Sequence, residues 1–237
     1  MSGHSHWSTI KHKKAANDQE RGRVFAKVSR EIILAISLGG GPNPDKNLRL
    51  RAAMETAKEV NMPKSNINRL LERAIQKVEQ VTEVVYEALG QNDISYIIKT
   101  ATDNPRRTQT DLKVTLDKNG GKLVAKGSVM YNYDLCGMFT VKDKSETEVL
   151  EIIEAIEAFD FVNDNNSWYI FIEYNQLSKA WQKVKELGID RAPELIYKAK
   201  NLVKLLDKDA QKALKLAEKL EALEDVQAIF MNLDYSL

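Results

Sequence analysis

The spacing of apolar residues changes character several times along the chain. Residues 1–16 hold few apolar side chains and no helical period, so they read as a loose tail able to order on a partner. From Asn17 the pattern turns helical: Val24, Phe25, Val28, Ile32, Ala35 and Ile36 recur at three- and four-residue steps, the spacing of one helix face. Gly39-Gly40-Gly41-Pro42 predicts the end of that helix, because glycine accepts a left-handed cap and proline cannot continue. Asn47 suits an N-cap for a second helix through about Val60, burying Leu50, Ala53, Met54, Ala57 and Val60. Pro63 stands near the start of a third helix, where its missing N–H costs nothing. Ile67, Leu70, Leu71, Ala74, Ile75 and Val78 form its apolar stripe. Three amphipathic helices with short links predict a small bundle, in which truncating Phe25 or Leu71 costs roughly 2–5 kcal/mol.

After Gln80 the period drops from 3.6 to 2. Glu83–Leu89 and Ile94–Ala101 read as strands joined by a Gly90-Gln91-Asn92-Asp93 turn. Asn104 and Pro105 open a helix that turns Leu112, Thr115 and Leu116 inward and ends at Asn119-Gly120-Gly121. Ser128–Tyr133 reads as a further strand. A second unit follows: a strand over Leu135–Val141, then a helix from Ser145 to about Ala158, with Glu148 at capping-box spacing from Ser145. A strand over Ile170–Tyr174, a helix over Gln176–Leu187 and a weak strand over Pro193–Lys200 complete a ferredoxin-like pattern. A helix over Lys208–Leu223 turns Ala213, Leu216, Ala217 and Leu220 inward. The last strand, Val226–Leu233, needs a sheet, and the strands of residues 82–133 are the obvious host. The fold class predicted is α+β in three domains. They are an N-terminal three-helix bundle (1–78), an α/β middle domain (79–133 plus 207–237) and a ferredoxin-like domain inserted in it (134–206).

Charge changes this picture. The chain of 237 residues carries a net charge of only +1. Residues 1–77, however, hold 15 lysines and arginines against 7 acids, so the remainder is negative. Such asymmetry points to a polyanionic partner for the basic part. The candidate nucleic-acid-binding residues are Trp7, Lys11, His12, Lys13, Lys14, Arg21, Arg23, Lys27, Arg30, Arg49, Arg51, Lys58 and Lys64. Arginine and lysine neutralise phosphates and release counterions. If about five of these reach phosphate, log K falls with log salt at a slope near −4.5 on duplex DNA. Trp7 either stacks on a base, worth ~1–3 kcal/mol, or tucks against the first helix. The insert carries Glu146, Glu148, Glu151, Glu154, Glu157, Asp160 and Asp164, a surface that repels nucleic acid and offers itself to a protein partner.

The remaining chemistry is sparse. No run of eighteen apolar residues predicts a membrane span, and the N-terminus lacks the apolar segment of a secretory signal. Cys136 is the single cysteine, so no internal disulfide forms. Together these predict a cytoplasmic protein. His4 and His6 lack further ligands at metal-binding spacing. LGGGPNP lacks the GK[ST] ending of a phosphate loop, and Ser128 lacks the glycines of a nucleophile elbow. No catalytic residue, metal or cofactor is called for, and the function predicted is non-enzymatic.

GHSHW, IKHKKAA, RGRVFAK, REI, LGGG, NLRLRAAMETAKEVNMPKSNI, TDNPRRT, NGGKL, KGSV and the terminal EDVQAIF together resemble the YebC family. The resemblance runs along essentially the whole chain and implies the same three-domain layout. It implies a role in gene expression. Bacterial members are described as transcriptional regulatory proteins, mitochondrial relatives as translational activators, and some bacterial members are tied to relief of ribosome stalling. Promoter DNA and ribosomal RNA, with the ribosome as partner, are therefore both implied targets. Three positions depart from the family pattern. QKVEQVTEVVYEALGQND replaces a glycine-rich segment followed by EGYGPGG. The loop after Lys77 is thereby shortened, and the hairpin tip is expected to lose its permissive φ. His6 stands where a basic residue is usual.

Overall fold

The computed structural model of the chain describes residues 18–76, 81–164 and 167–234. It is α+β, with seven α-helices and two antiparallel four-stranded sheets among the described residues. Three helices come first: α1 (Asp18–Leu38), α2 (Leu48–Glu59) and α3 (Lys64–Ile75). They close on Val28, Ile32, Ala35, Leu50, Ala53, Ala57 and Ile67. Asn47 shows why the chain turns here. Its side-chain oxygen accepts the Leu50 N–H at 3.0 Å, and its amide donates to the Ala35 carbonyl at 2.6 Å and to that of Gly41 at 2.8 Å. One buried amide thus caps α2 and satisfies the end of α1. The expected stripe of α3 is covered only in part: Ile67 is buried, Leu70, Leu71 and Ala74 are half-buried, and Ile75 is exposed. Phe25 is likewise half-buried. Val78 lies outside the described residues.

The first sheet holds β1 (Thr82–Leu89), β2 (Ser95–Thr102), β3 (Lys122–Val124) and β8 (Val226–Met231), in the order β3-β1-β2-β8. The chain's last strand lies against β2, with Tyr96 opposite Met231. The second sheet holds β4 (Tyr133–Lys142), β5 (Asp160–Asp164), β6 (Ser167–Glu173) and β7 (Glu194–Ala199), in the order β5-β6-β4-β7. With α5 (Glu146–Ile156) after β4 and α6 (Leu177–Glu186) after β6, this is a β-α-β-β-α-β run with split βαβ topology. Strand alternation then builds the layers. Tyr96, Ile98 and Ile229 face α4 (Pro105–Lys118) and α7 (Asp207–Glu221). Ile97 and Phe230 turn the other way and meet Cys136, Met138, Phe171 and Ile196 of the second sheet. Phe139, Val141, Ile170 and Ile172 pack under α5 and α6. The order of layers is helices, sheet, sheet, helices.

Three expectations are corrected. Ser128–Tyr133 is not a strand: it holds a short 3-10 turn at Met130–Asn132, and β4 starts only at Tyr133. The reason is Glu87, a buried carboxylate on β1 that accepts the N–H groups of Gly127 at 2.6 Å, Val129 at 2.7 Å and Met130 at 3.0 Å. A segment whose N–H groups converge on one carboxylate cannot also donate to a ladder. Two short strands, β3 and β5, carry too few residues for a period to show. The β1–β2 tip has not lost its left-handed backbone: Asn92 has φ 54° and Asp93 φ 60°, and Ile94 donates to the Gln91 carbonyl at 3.3 Å. Asn and Asp tolerate this region where glycine is missing.

Candidate nucleic-acid interface

The helical unit carries the predicted cations, but tertiary contacts divide them. Arg23, Lys58 and Lys64 are exposed. Arg21 is exposed too, with its guanidinium 6.0 Å from the Phe25 ring centroid. They sit at the start of α1, the last turn of α2 and the first turn of α3. Lys46, Arg69 and Arg73 are also exposed on this unit. Their signal was the charge count of the first third, since nothing else in the sequence distinguishes them.

Four other cations are held inside the chain. Lys27 donates to the backbone carbonyl of Glu221, at the end of α7. Burial lowers its pKa, against the pull of the Glu221 charge, with Arg23 adding to the lowering. Arg30 donates to the Glu224 carbonyl at 2.9 Å and the Glu224 carboxylate at 2.6 Å, with Asp225 at 3.5 Å. Arg49 joins Glu31 at 2.8 Å and Glu83 of β1, while Lys99 of β2 lies 3.5 Å from the same Glu83. Burial works to lower the Arg49 pKa, but the two carboxylates raise it on balance. Arg51 pairs with Asp45 at 2.7 Å and lies 6.0 Å from the Trp181 ring of α6. In this structure Lys27, Arg30 and Arg49 therefore make contacts within the chain, Lys27 and Arg30 to the end of α7 and the loop after it and Arg49 to β1. Two acids of α2 do the same from the other side, Glu59 pairing with Arg191 and Glu55 accepting the Ala192 N–H at 2.9 Å.

Trp7, Lys11, His12, Lys13 and Lys14 lie outside the described residues. Among the described residues, no group of three His, Cys, Asp or Glu side chains is placed to hold a metal. Cys136 is buried between the sheets, and burial pushes its pKa up to about 12. No described helix is long and apolar enough to cross a membrane.

Comparison with known proteins accounts for nearly all of the chain. A family model described as the TACO1/YebC protein N-terminal domain matches residues 5–77. A second, described as the TACO1/YebC second and third domain, matches residues 81–233. The chain belongs to the TACO1/YebC family. A relative from Chloroflexus aggregans, named a probable transcriptional regulatory protein, is 40% identical over 99% of this chain and 96% of its own length. One of the same name from Aquifex aeolicus is 38% identical, again over 99% and 96%. The crystal structure of a conserved hypothetical protein from Aquifex aeolicus matches with a TM-score of 0.86 at 36% identity, covering 97% of this chain and 96% of that one. The TACO1/YebC assignment carries the sequence resemblance through the helical unit and both sheets.

Proposed function

We propose that this TACO1/YebC protein is a non-enzymatic, cytoplasmic regulator of gene expression that binds nucleic acid, DNA in the first place, through the basic helical unit. The observation that carries the proposal is the division of its cations. Arg21, Arg23, Lys58 and Lys64 are exposed on the basic third, and the sequence of residues 1–17 contributes Lys11, Lys13, Lys14, His12 and Trp7 to the proposed interface. The names of the relatives support a regulatory role. The chain divides into three domains, 1–78, 79–133 plus 207–237, and 134–206. Apolar cores under α1–α3, under α4 and α7, and under α5 and α6 support that division, and a fourth core joins the two sheets face to face. The exposed glutamates of α5 offer the third domain to a protein partner.

Ribosomal RNA is the second target. One observation favours it: the exposed cations are spread over all three helices and the loop before α2 rather than confined to one helix shaped for a groove. They grip backbone better than they read bases. The test compares co-sedimentation with ribosomes against retention on a DNA duplex, for the wild type and for Arg21, Arg23, Lys58 and Lys64 changed together to Ala. On DNA, each lost phosphate contact flattens the salt slope by about 0.9. Wild-type binding that stays flat from low to physiological salt overturns the proposal.

A further inference from the structure

The end of α7 and the loop after it form an anionic element, and the terminal EDVQAIF motif supplies its acids. At the C-terminus of a helix the last carbonyls lack intrahelical partners and carry partial negative charge. Here the Glu221 carbonyl receives Lys27. Glu224 offers Arg30 two oxygens, its carbonyl and its carboxylate, at 2.9 and 2.6 Å. A fork of two parallel acceptors is also what a phosphodiester offers a guanidinium. Asp225 ties the element to the structure behind it. Asp225 accepts the hydroxyls of Thr108 at 2.6 Å and Thr102 at 3.2 Å, and Arg107 at 3.0 Å, and its carbonyl takes the Ala101 N–H at 2.8 Å. The front is open: the Glu224 side chain is 68% exposed, beside a recess lined by Arg107, Thr108 and Asp111.

We infer that the contact between α1 and the Glu221–Asp225 segment is autoinhibitory: the segment stands in for a polyphosphate on Lys27 and Arg30, and nucleic acid displaces it. The inference rests on nucleic-acid binding by the helical unit. It assigns the acidic residue Glu224 a role in controlling affinity. An exposed carboxylate on a guanidinium is a weak competitor, so the mask yields to a dense line of phosphates and not to isolated anions at low concentration. Once released, Arg30 adds one more phosphate contact to the interface.

The experiment measures binding of the full chain to a random-sequence DNA duplex and to a ribosomal RNA fragment across a salt series. The variants are Glu224→Gln, Glu151→Gln as an equal charge change on the remote, exposed face of α5, and Glu224→Gln combined with Arg30→Gln. Glu224→Gln is expected to bind on the order of threefold tighter, with the DNA salt slope of the wild type, because the Arg30 contact is present in both complexes. Glu151→Gln should show no such gain, and the double variant should lose the gain and flatten the slope by about 0.9. Three results overturn the inference: Glu224→Gln matching the wild type, matching Glu151→Gln, or keeping its gain without Arg30. If any of these occurs while neutralising Arg21, Arg23, Lys58 and Lys64 still weakens the wild type, only the masking is lost. If no form binds either nucleic acid, the masking and the proposed function fall together.

Discussion

Glu87→Gln tests the account of the Gly127–Met130 segment. The carboxylate is 2% exposed and takes three backbone N–H groups, one on Oε1 and two on Oε2. Glutamine keeps one oxygen. Its amide nitrogen must then face either the Gly127 N–H or the Val129 and Met130 pair, donor against donor. Hydrogen bonds to a charged group contribute about 1.5–3 kcal/mol each, and a buried donor left alone costs about 1–3 kcal/mol. A loss of about 3 kcal/mol is expected at neutral pH. Burial alone raises the Glu87 pKa, but the three N–H donors and nearby Lys126 bring it below the ordinary carboxylate value. A carboxylate depressed in the folded state stabilises fully above its unfolded pKa of about 4.3, and that stability is lost as pH falls through the folded value. The gap between wild type and variant should therefore be widest near neutrality and narrow below about pH 4. Urea unfolding from pH 7 to pH 3 measures the gap, and amide exchange at Gly127, Val129 and Met130 localises it. A difference under about 0.5 kcal/mol at pH 7, or one constant across the range, refutes the reasoning.

Other expectations follow from single contacts. Asn47→Ala removes three hydrogen bonds, one to the Ala35 carbonyl of α1, one to the Gly41 carbonyl of the loop and one capping α2, and should cost about 2–4 kcal/mol, seen as faster amide exchange throughout the helical unit. Gly137→Ala places a methyl 2.3 Å from Leu177 Cδ1 and 2.9 Å from Ile172 Cγ2, so urea unfolding should show a loss of about 1–3 kcal/mol. Gly22→Ala, with open space around an exposed helical position, should instead gain about 0.5–1 kcal/mol. Cys136, buried with its pKa pushed up to about 12, should resist iodoacetamide at pH 8 in the native protein and react once unfolded, because only the thiolate attacks.

Local patterns carry most of the elements. The helix starts at Asn47, Asn104 and Ser145 were legible because an N-cap is a contact within four residues: Asn47 to Leu50, Asn104 to Arg107, Ser145 to Glu148. The long strands β1, β2, β4 and β8 and the buried faces of α4 and α7 were legible from periodicity for the same reason. The basic character of the first third needed only a count. Segments governed by distant partners stayed hidden. Glu87 bends residues 127–130 from about forty positions away, and β5 has five residues and gains its place only by pairing with β6. The fate of the cations belongs to the same class. Arg23 and Lys27 are one helical turn apart and read alike as sequence, yet one is exposed and the other is set against the end of α7. Secondary structure and overall charge balance are sums over neighbours, which a sequence contains. Which charges reach solvent depends on what the folded chain brings opposite them, and only the tertiary structure supplies that.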